Sequence, residues 1–259
     1  MQIWTNSFSM RFLTLLTLFL VGIQGIAQNA DSLFVQANEL YRQEKYDEAL
    51  ISYQEIETLG QESWALYYNM GNIHYKRNRV APSIYYYEKA LKLRPDQQDV
   101  LFNLEFANQM VLDNIEPLPR NLGQRFMDGV SWKLTYETWA KISVSLAFLF
   151  ALLFLMYHFS YSTGKKRFYF ISSIITVILV TTFVFFAFRN RLYVQSNLEA
   201  IIFATEAEVM NAPTTTSETY FELHEGTKVT VLETLDNWKK IRIADGKIGW
   251  IDEKHLKEI

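Results

Sequence analysis

The apolar residues of this 259-residue chain are concentrated in three stretches that carry almost no charge, residues 10–27, 142–161 and 168–188. The second and third each reach about 20 residues, the length at which an α-helix crosses the hydrocarbon core of a bilayer. Apart from tyrosines, the one ionisable residue in them is His158. The pattern therefore predicts transmembrane helices at 142–161 and 168–188. A buried helical hairpin in a soluble protein is the alternative.

The first apolar stretch is typical of a secretory signal peptide. Arg11 precedes an apolar core that is shorter than a spanning helix needs, and Gly25-Ile26-Ala27 supplies small residues before Gln28. We expect a signal peptide at 1–27 that is cleaved after Ala27, with a retained anchor as the alternative.

The short link between the two predicted spans sets the topology. Residues 162–167 contain Lys165, Lys166 and Arg167, and basic loops tend to stay on the cytoplasmic side. An exported N-terminal region agrees with that orientation. We therefore predict a membrane protein whose large soluble parts both lie on the exported side.

The N-terminal soluble part, residues 28–115, repeats itself at an offset of 34 residues, which is typical of helical hairpins. The offset aligns Tyr41 with Tyr75, Ala49 with Ser83, Tyr53 with Tyr87, and Ile56 with Ala90. In the second copy, Gly71 and Ala90 are small enough to let two antiparallel helices approach closely, and Pro95 ends the second helix. Tyr67, Met70 and Tyr87 are expected to fill the seam between the helices. This copy resembles a tetratricopeptide repeat, and a third copy is only half present.

The resemblance to tetratricopeptide repeats implies a concave face that binds peptides. Transferred to this chain, the candidate groove comprises Phe34, Asn38, Tyr41, Tyr68, Asn72, Tyr75, Phe102, Phe106 and Gln109. An extended or helical peptide could lie against these rings and amides. The alternative, which stays open here, is that many of the aromatic residues complete the core of the repeat array. Phe34 occupies a position where some family members have a lysine, which argues against a carboxylate clamp.

The C-terminal part, residues 198–259, contains about five short strand-like segments, of which some are apolar runs and others alternate apolar and polar residues, a pattern typical of a small barrel. Asp245-Gly246 predicts a tight hairpin turn, and Gly249 is expected to permit close approach of strands. The segment resembles a bacterial SH3-like domain, a class that binds peptides or peptidoglycan. Trp238 and Trp250 are the candidate barrel surface, although packing at the core and rim is the favoured interpretation for both.

The charge distribution bears on whether the chain binds nucleic acid. The chain has 25 basic and 28 acidic residues, a formal net charge of −3. Residues 28–138 carry 11 basic and 16 acidic side chains, and residues 192–259 carry 7 and 12, so each soluble part is about −5. Nucleic-acid binding needs a basic face, and neither part supplies an obvious one.

The sequence offers no recognisable active site. It contains no cysteine, which excludes disulfides, thiolate nucleophiles and iron–sulfur clusters. The four histidines are scattered over three units, and we expect His74 to be packed in a helix seam. No phosphate loop, nucleophile elbow or metal-binding helix motif appears. We therefore expect no catalytic residue, no cofactor and no metal site.

The order of the parts is more specific than any one of them. A signal peptide, a tetratricopeptide pair (28–115), a juxtamembrane linker (116–141), a membrane hairpin and an SH3-like domain together resemble the BatE family of the Bacteroides aerotolerance operon. The predicted fold class is thus a multidomain membrane protein with α-helical repeats, two transmembrane helices and an all-β barrel.

The resemblance implies that the protein lies in the inner membrane of a Gram-negative bacterium, with both soluble parts in the periplasm. It also implies partners with von Willebrand A domains and a MoxR-type ATPase. A non-catalytic scaffold is the leading hypothesis. A cell-envelope sensor that binds peptidoglycan or a peptide through the barrel is the second, and an enzyme or transporter subunit has the least support.

Overall fold

The computed structural model describes residues 30–119 and 121–259. The predicted signal peptide lies outside the described residues. The helices of the described part are α1 (30–42), α2 (Tyr46–Thr58), α3 (Trp64–Lys76), α4 (Val80–Leu93), α5 (Gln98–Asn108), α6 (Leu122–Ser131), α7 (Tyr136–Phe159) and α8 (Thr163–Ser196). The strands are β1 (Leu198–Ile202), β2 (Glu206–Met210), β3 (Thr219–His224), β4 (Lys228–Leu235), β5 (Trp238–Arg242), β6 (Ile248–Asp252) and β7 (Leu256–Glu258). A 3₁₀ turn, Glu253–His255, precedes β7.

Helices α1 to α5 form a repeat array with an aromatic core. Gly71 on α3 lies against Tyr87 on α4, and a Cβ at position 71 would come within 2.6 Å of that ring. Ala90 is fully buried, and α4 ends at Leu93, just before Pro95. The predicted roles of the glycine, the alanine and the proline are confirmed, because the two helices meet where their side chains are smallest.

The repetition extends to the turns. Glu44, between α1 and α2, has φ 60°, and Asn78, between α3 and α4, has φ 57°. A left-handed backbone is uncommon for residues other than glycine, and these two positions are related by the offset that aligns the two copies. The same turn therefore joins both hairpins. After α5, no further helix occurs in residues 109–119, as expected for half a hairpin.

Helices α7 and α8 form an antiparallel hairpin, and both are long and apolar enough to cross a membrane. Trp139 is buried between them, with its ring centroid 5.0 Å from Phe183 and 5.1 Å from Phe186. Helix α8 extends past the predicted span and leads into β1 through Asn197. Helix α6 lies in the segment that the sequence predicted as a juxtamembrane linker.

In the described part of the chain, the C-terminal region forms a seven-stranded antiparallel sheet in the order β3-β2-β6-β5-β4-β1-β7. The sequence predicted about five strands. Strand β3 is mostly exposed and β7 is very short, so neither carries a clear apolar pattern. The predicted turn is confirmed at Gly246 (φ 94°). Close approach at Gly249 is also confirmed, because a Cβ there would lie 2.5 Å from Val209 Cγ1.

The barrel packs directly on the repeat array. Ile201 on β1 is fully buried in the helical core, and the Phe203 ring lies 5.6 Å from Tyr85 on α4. Gly226, in the β3–β4 turn, is so close to α4 that a Cβ would come within 2.9 Å of Val80 Cγ1. The array therefore shares part of its core with the barrel of the same chain.

Polar contacts border this apolar contact on two sides. The Asp113 carboxylate, after α5, accepts hydrogen bonds from the backbone N–H of His224 (2.7 Å) and the hydroxyl of Thr227. Lys228 Nζ, on β4, lies 2.9 Å from Glu88 Oε2 on α4. The two modules thus form one structural unit with a defined mutual orientation.

Candidate functional site

An open groove runs along the face of the repeat array formed by α1, α3 and α5. Its lining residues are Tyr41, Tyr68, Asn72, Tyr75, Lys76, Asn103 and Phe106. Of the nine candidate groove residues named from the sequence, five lie in this lining as the structure describes it. Lys76 and Asn103 also line the groove, although neither is among the candidates predicted from the sequence. Asn103 aligns with Asn69 at the repeat offset, so the repeat pattern marks an asparagine at this position in both copies.

The four other candidates, Phe34, Asn38, Phe102 and Gln109, lie outside this lining. Phe34 is partly buried and packs against Tyr53, with ring centroids 5.8 Å apart, so it belongs to the core. Phe102 meets Phe106 edge to face at 4.7 Å and is 60% exposed, and Gln109 caps the end of α5. The aromatic candidates at the start of the array therefore pack in its core, and those at its end are exposed as a binding surface requires.

The asparagines form a hydrogen-bond motif that occurs once in each repeat. In the first, Asn38 Oδ1 accepts from Tyr53 Oη (2.6 Å) and from Asn69 Nδ2 (2.9 Å). In the second, Asn72 Oδ1 accepts in the same way from Tyr87 Oη (2.7 Å) and Asn103 Nδ2 (2.8 Å). We call these two sets of three residues the amide triads. Each triad joins both helices of a repeat to the first helix of the next.

The amide triads hold the Oδ1 atoms of Asn38 and Asn72, and this orients the Nδ2 groups of the same side chains. Burial raises the pKa of Tyr53 to about 12, so its hydroxyl stays protonated and donates to the asparagine oxygen. Within the described residues, the Nδ2 groups of Asn38 and Asn72 have no acceptor, and neither is among the fully buried polar atoms. Two solvent-accessible N–H donors, one per repeat, therefore remain for a ligand carbonyl.

The charge of the groove comes from a lysine at one end. Lys76 is the charged side chain that lines the groove in the described part of the chain, and its Nζ lies 5.9 Å from the Tyr46 ring centroid. Tyr75 is 37% exposed beside it. Aromatic faces, amide donors and one ammonium suit a peptide backbone with apolar side chains and an acidic residue.

The barrel leaves the groove open, because it contacts the array elsewhere. Its contacts are with α4 and with the segment after α5, including Tyr85, Glu88 and Asp113. The groove lining comes from α1, α3 and α5. A peptide could therefore occupy the groove without displacing the barrel.

The two candidate tryptophans of the barrel lie on one outward face. Lys240 pairs with Trp250, and Trp238 pairs with Asp252, across β5 and β6. Since side chains alternate along a strand, both rings point away from the buried Ile241 and Ile251. Both are partly exposed, and Lys240 Nζ lies 5.5 Å from the Trp250 ring. They belong to the rim and surface rather than to the core.

His74 is packed in the interior of the repeat array. His74 is 6% exposed and stacks on Tyr86 at 5.4 Å, as expected for a residue in a helix seam. Burial lowers its pKa to about 4, so it is neutral at physiological pH. In residues 30–119 and 121–259, no group of three histidines or acids could hold a metal ion.

Comparison with family models assigns both modules. Residues 64–97 match the tetratricopeptide repeat model, and residues 209–257 match the bacterial SH3 domain model. No curated protein matches the chain. The first match covers the hairpin α3–α4, which contributes four of the described groove residues. The chain thus joins a tetratricopeptide-type helical region, two long apolar helices and an SH3-like region.

Proposed function

We propose that this protein is a non-catalytic, membrane-anchored scaffold that holds a segment of a partner protein in the groove of its repeat array. The open groove carries the proposal, because it presents aromatic faces and the Asn72 amide donor, which has no partner among the described residues. A second such donor, Asn38, lies one repeat away, outside the lining. Donors spaced by one repeat suit an extended backbone. Binding of this kind requires no turnover.

The membrane part of the proposal is supported by the exposure of the hairpin. Phe148 on α7 and Phe188 on α8 are 75% and 61% exposed, whereas the core helices of a soluble protein bury such side chains. We propose that α7 and α8 cross the inner membrane, with the loop around Lys165 in the cytoplasm and both modules in the periplasm. The anchor would keep the groove close to other membrane proteins and raise their effective concentration.

The resemblance to the BatE family suggests which assembly the scaffold serves. We propose a complex related to aerotolerance or stress, in which the partners are membrane proteins with von Willebrand A domains.

A photo-crosslinking residue in place of Tyr75 would test groove binding in native membranes. Tyr75 lines the groove, and its hydroxyl makes no hydrogen bond to another described residue. The matched control is the same residue in place of Ile51, which is 64% exposed on α2. We expect one defined adduct from position 75, none from position 51, and a weaker adduct when Phe106→Ala is added. Equal crosslinking from both positions, or none from position 75, would contradict the proposal.

The second candidate function is a cell-envelope sensor that binds peptidoglycan or a peptide through the barrel. The outward Trp250 and the neighbouring Lys240 favour it, because an aromatic face beside an ammonium suits a sugar–peptide polymer that bears carboxylates. Retention of the full chain on purified wall material is the test. Loss of retention in Trp250→Ala, with retention kept in Tyr220→Ala, would support this function, and no retention of the unaltered chain would remove it.

A further inference from the structure

Helix α6 carries an apolar face that no other described part of the chain covers. Leu122 and Phe126 lie one turn apart on it and are 83% and 70% exposed. The opposite side of the helix is docked on α8, because Asp128 Oδ1 accepts from Arg189 Nη2 at 2.8 Å. The backbone oxygen of Ser131 also accepts from Asn190 Nδ2 at 2.6 Å. The helix is thus held firmly with its largest apolar side chains pointing away from the hairpin.

The point at which α6 is attached to α8 determines where α6 lies relative to the apolar, membrane-spanning part of the hairpin. The apolar run of α8 ends at Phe188, and the hydrogen bonds to α6 come from the next two residues, Arg189 and Asn190. Trp139 Nε1, on α7, donates to the same Ser131 oxygen while its ring packs on Phe186, within the apolar run. If α7 and α8 span a bilayer, α6 therefore lies at the boundary between hydrocarbon and headgroups.

The charge around α6 complements that of a lipid surface. Residues 121–141 and 189–196 together carry five basic and two acidic side chains. One of the acids, Asp128, is paired with Arg189. This positive shell contrasts with the acidic soluble modules and suits the phosphates of lipid headgroups.

We propose that α6 lies in the outer lipid interface of the membrane and inserts Leu122 and Phe126 among the acyl chains. Such a helix, in addition to the spanning pair, would fix the rotation of the periplasmic unit relative to the membrane plane. This inference rests on the membrane-spanning hairpin of the proposed function. It assigns α6 a lipid ligand and not a protein partner.

The absence of cysteine from the chain permits a direct test by site-directed spin labelling. Single cysteines are placed at Leu122, Phe126, Gln124 and Ile178 in the full chain, reconstituted in vesicles of phosphatidylethanolamine and phosphatidylglycerol. Gln124 is the matched control, because it is exposed on the docked side of α6. Its substitution removes the hydrogen bond from the Asn121 backbone N–H to Gln124 Oε1, but keeps the bond from the Gln124 backbone N–H to Asn121 Oδ1. Ile178, 60% exposed in the middle of α8, reports on the hairpin.

The measurement is the ratio of accessibility to oxygen, which concentrates in lipid, over accessibility to a water-soluble nickel chelate. We expect ratios at 122 and 126 several-fold higher than at 124, and the highest ratio at 178. Aqueous values at 122 and 126 with a lipid value at 178 would overturn the inference and leave the spanning hairpin standing. An aqueous value at 178 would overturn the spanning hairpin and, with it, this inference.

Discussion

Lys228 Nζ, on strand β4 of the barrel, lies 2.9 Å from Glu88 Oε2 on helix α4 of the repeat array. The same ammonium lies 2.8 Å from Glu199 Oε2 on β1. Burial alone would lower the pKa of Lys228, but the two carboxylates outweigh it and raise that pKa. The lysine is therefore charged at any physiological pH. It joins the two modules by placing one positive charge between two negative ones.

Replacing Lys228 by methionine should destabilise the folded chain. The change leaves two close carboxylates without a counter-ion, and Glu88 is only 14% exposed. A fully buried pair loses about 3–5 kcal/mol in this way. Because the Lys228 side chain is 36% exposed, we expect a smaller loss of about 1–3 kcal/mol in the free energy of unfolding. Thermal unfolding in detergent measures it.

The control for this prediction is Lys240→Met. The Lys240 side chain is also 36% exposed, but its partner Glu233 is 3.5 Å away and 56% exposed. We expect a loss below about 0.5 kcal/mol for this pair. An equal effect of the two substitutions would mean that the Lys228 contacts add nothing beyond an ordinary surface pair.

Docking of the barrel should weaken as pH rises through the titration of His224. A hydrogen bond to Asp113 raises the pKa of His224. Burial raises the pKa of Asp113, but hydrogen bonds from the His224 backbone, Thr227 and the His224 ring outweigh it and lower that pKa. The imidazolium contribution is complete below the unfolded value of about 6.5 and is lost as pH rises through the folded value. Amide exchange in the β3–β4 turn should therefore accelerate with pH beyond its intrinsic increase.

The His224→Gln variant separates this effect from other titrations. It keeps the backbone N–H that donates to Asp113 and removes the ring that titrates. We expect exchange in the turn of this variant to follow the intrinsic pH dependence alone between about pH 6 and 8.5. A variant with the same additional acceleration as the natural chain would show that His224 is not responsible.

A methyl group at Gly226 should disturb the contact between the modules. Gly226 has φ 90°, and a Cβ there would lie 2.9 Å from both Val80 Cγ1 and Val111 Cγ2. We expect Gly226→Ala to lower the free energy of unfolding by about 2–4 kcal/mol, from backbone strain and overpacking together. Chemical unfolding in detergent measures the change.

Gly60→Ala provides the matched control, because Gly60 also has a left-handed backbone (φ 71°) but a Cβ there would meet no atom within 4 Å. Its loss should be limited to the strain of about 1–2 kcal/mol. The difference between the two variants isolates the clash with the repeat array. Equal losses would show that the turn is not pressed against α4.

Local features of the fold could be predicted from the sequence because they depend on nearby residues. Gly71 and Pro95 are read from the repeat pattern, and Gly246 from a turn dipeptide. The two long apolar runs predict helices through their length alone. In each case, a pattern within one continuous segment of the sequence predicts the structure.

The docking of the barrel could not be predicted in the same way. Asp113 and His224 meet across more than a hundred residues, and each looks like an ordinary polar surface residue in the sequence. Ile201 stands in a short apolar run like that of many buried strands, although its side chain completes the helical core. Complementarity between two modules leaves no periodicity in either of them. For the same reason, the groove residue Lys76 was missed, because its place depends on how α1, α3 and α5 pack.

The second amide triad should behave as one energetic unit. In Asn72→Ala, the hydroxyl of the buried Tyr87 and the amide of Asn103 lose their shared acceptor. An unsatisfied buried hydroxyl costs about 1–3 kcal/mol, and we expect a loss of this size in the free energy of unfolding. Tyr87→Phe removes the donor in turn and should cost about 1 kcal/mol.

The double variant Asn72→Ala, Tyr87→Phe tests whether the two groups are coupled. Because the buried hydroxyl is absent from it, its loss should be smaller than the sum of the single losses by about 0.5–2 kcal/mol. Unfolding of all four chains under the same conditions gives this coupling energy. Strictly additive losses would mean that Asn72 does not hold the Tyr87 hydroxyl. In that case nothing would hold the Asn72 side chain in one orientation. Its Nδ2 group points toward a ligand only while Asn72 Oδ1 accepts the hydrogen bond from the Tyr87 hydroxyl.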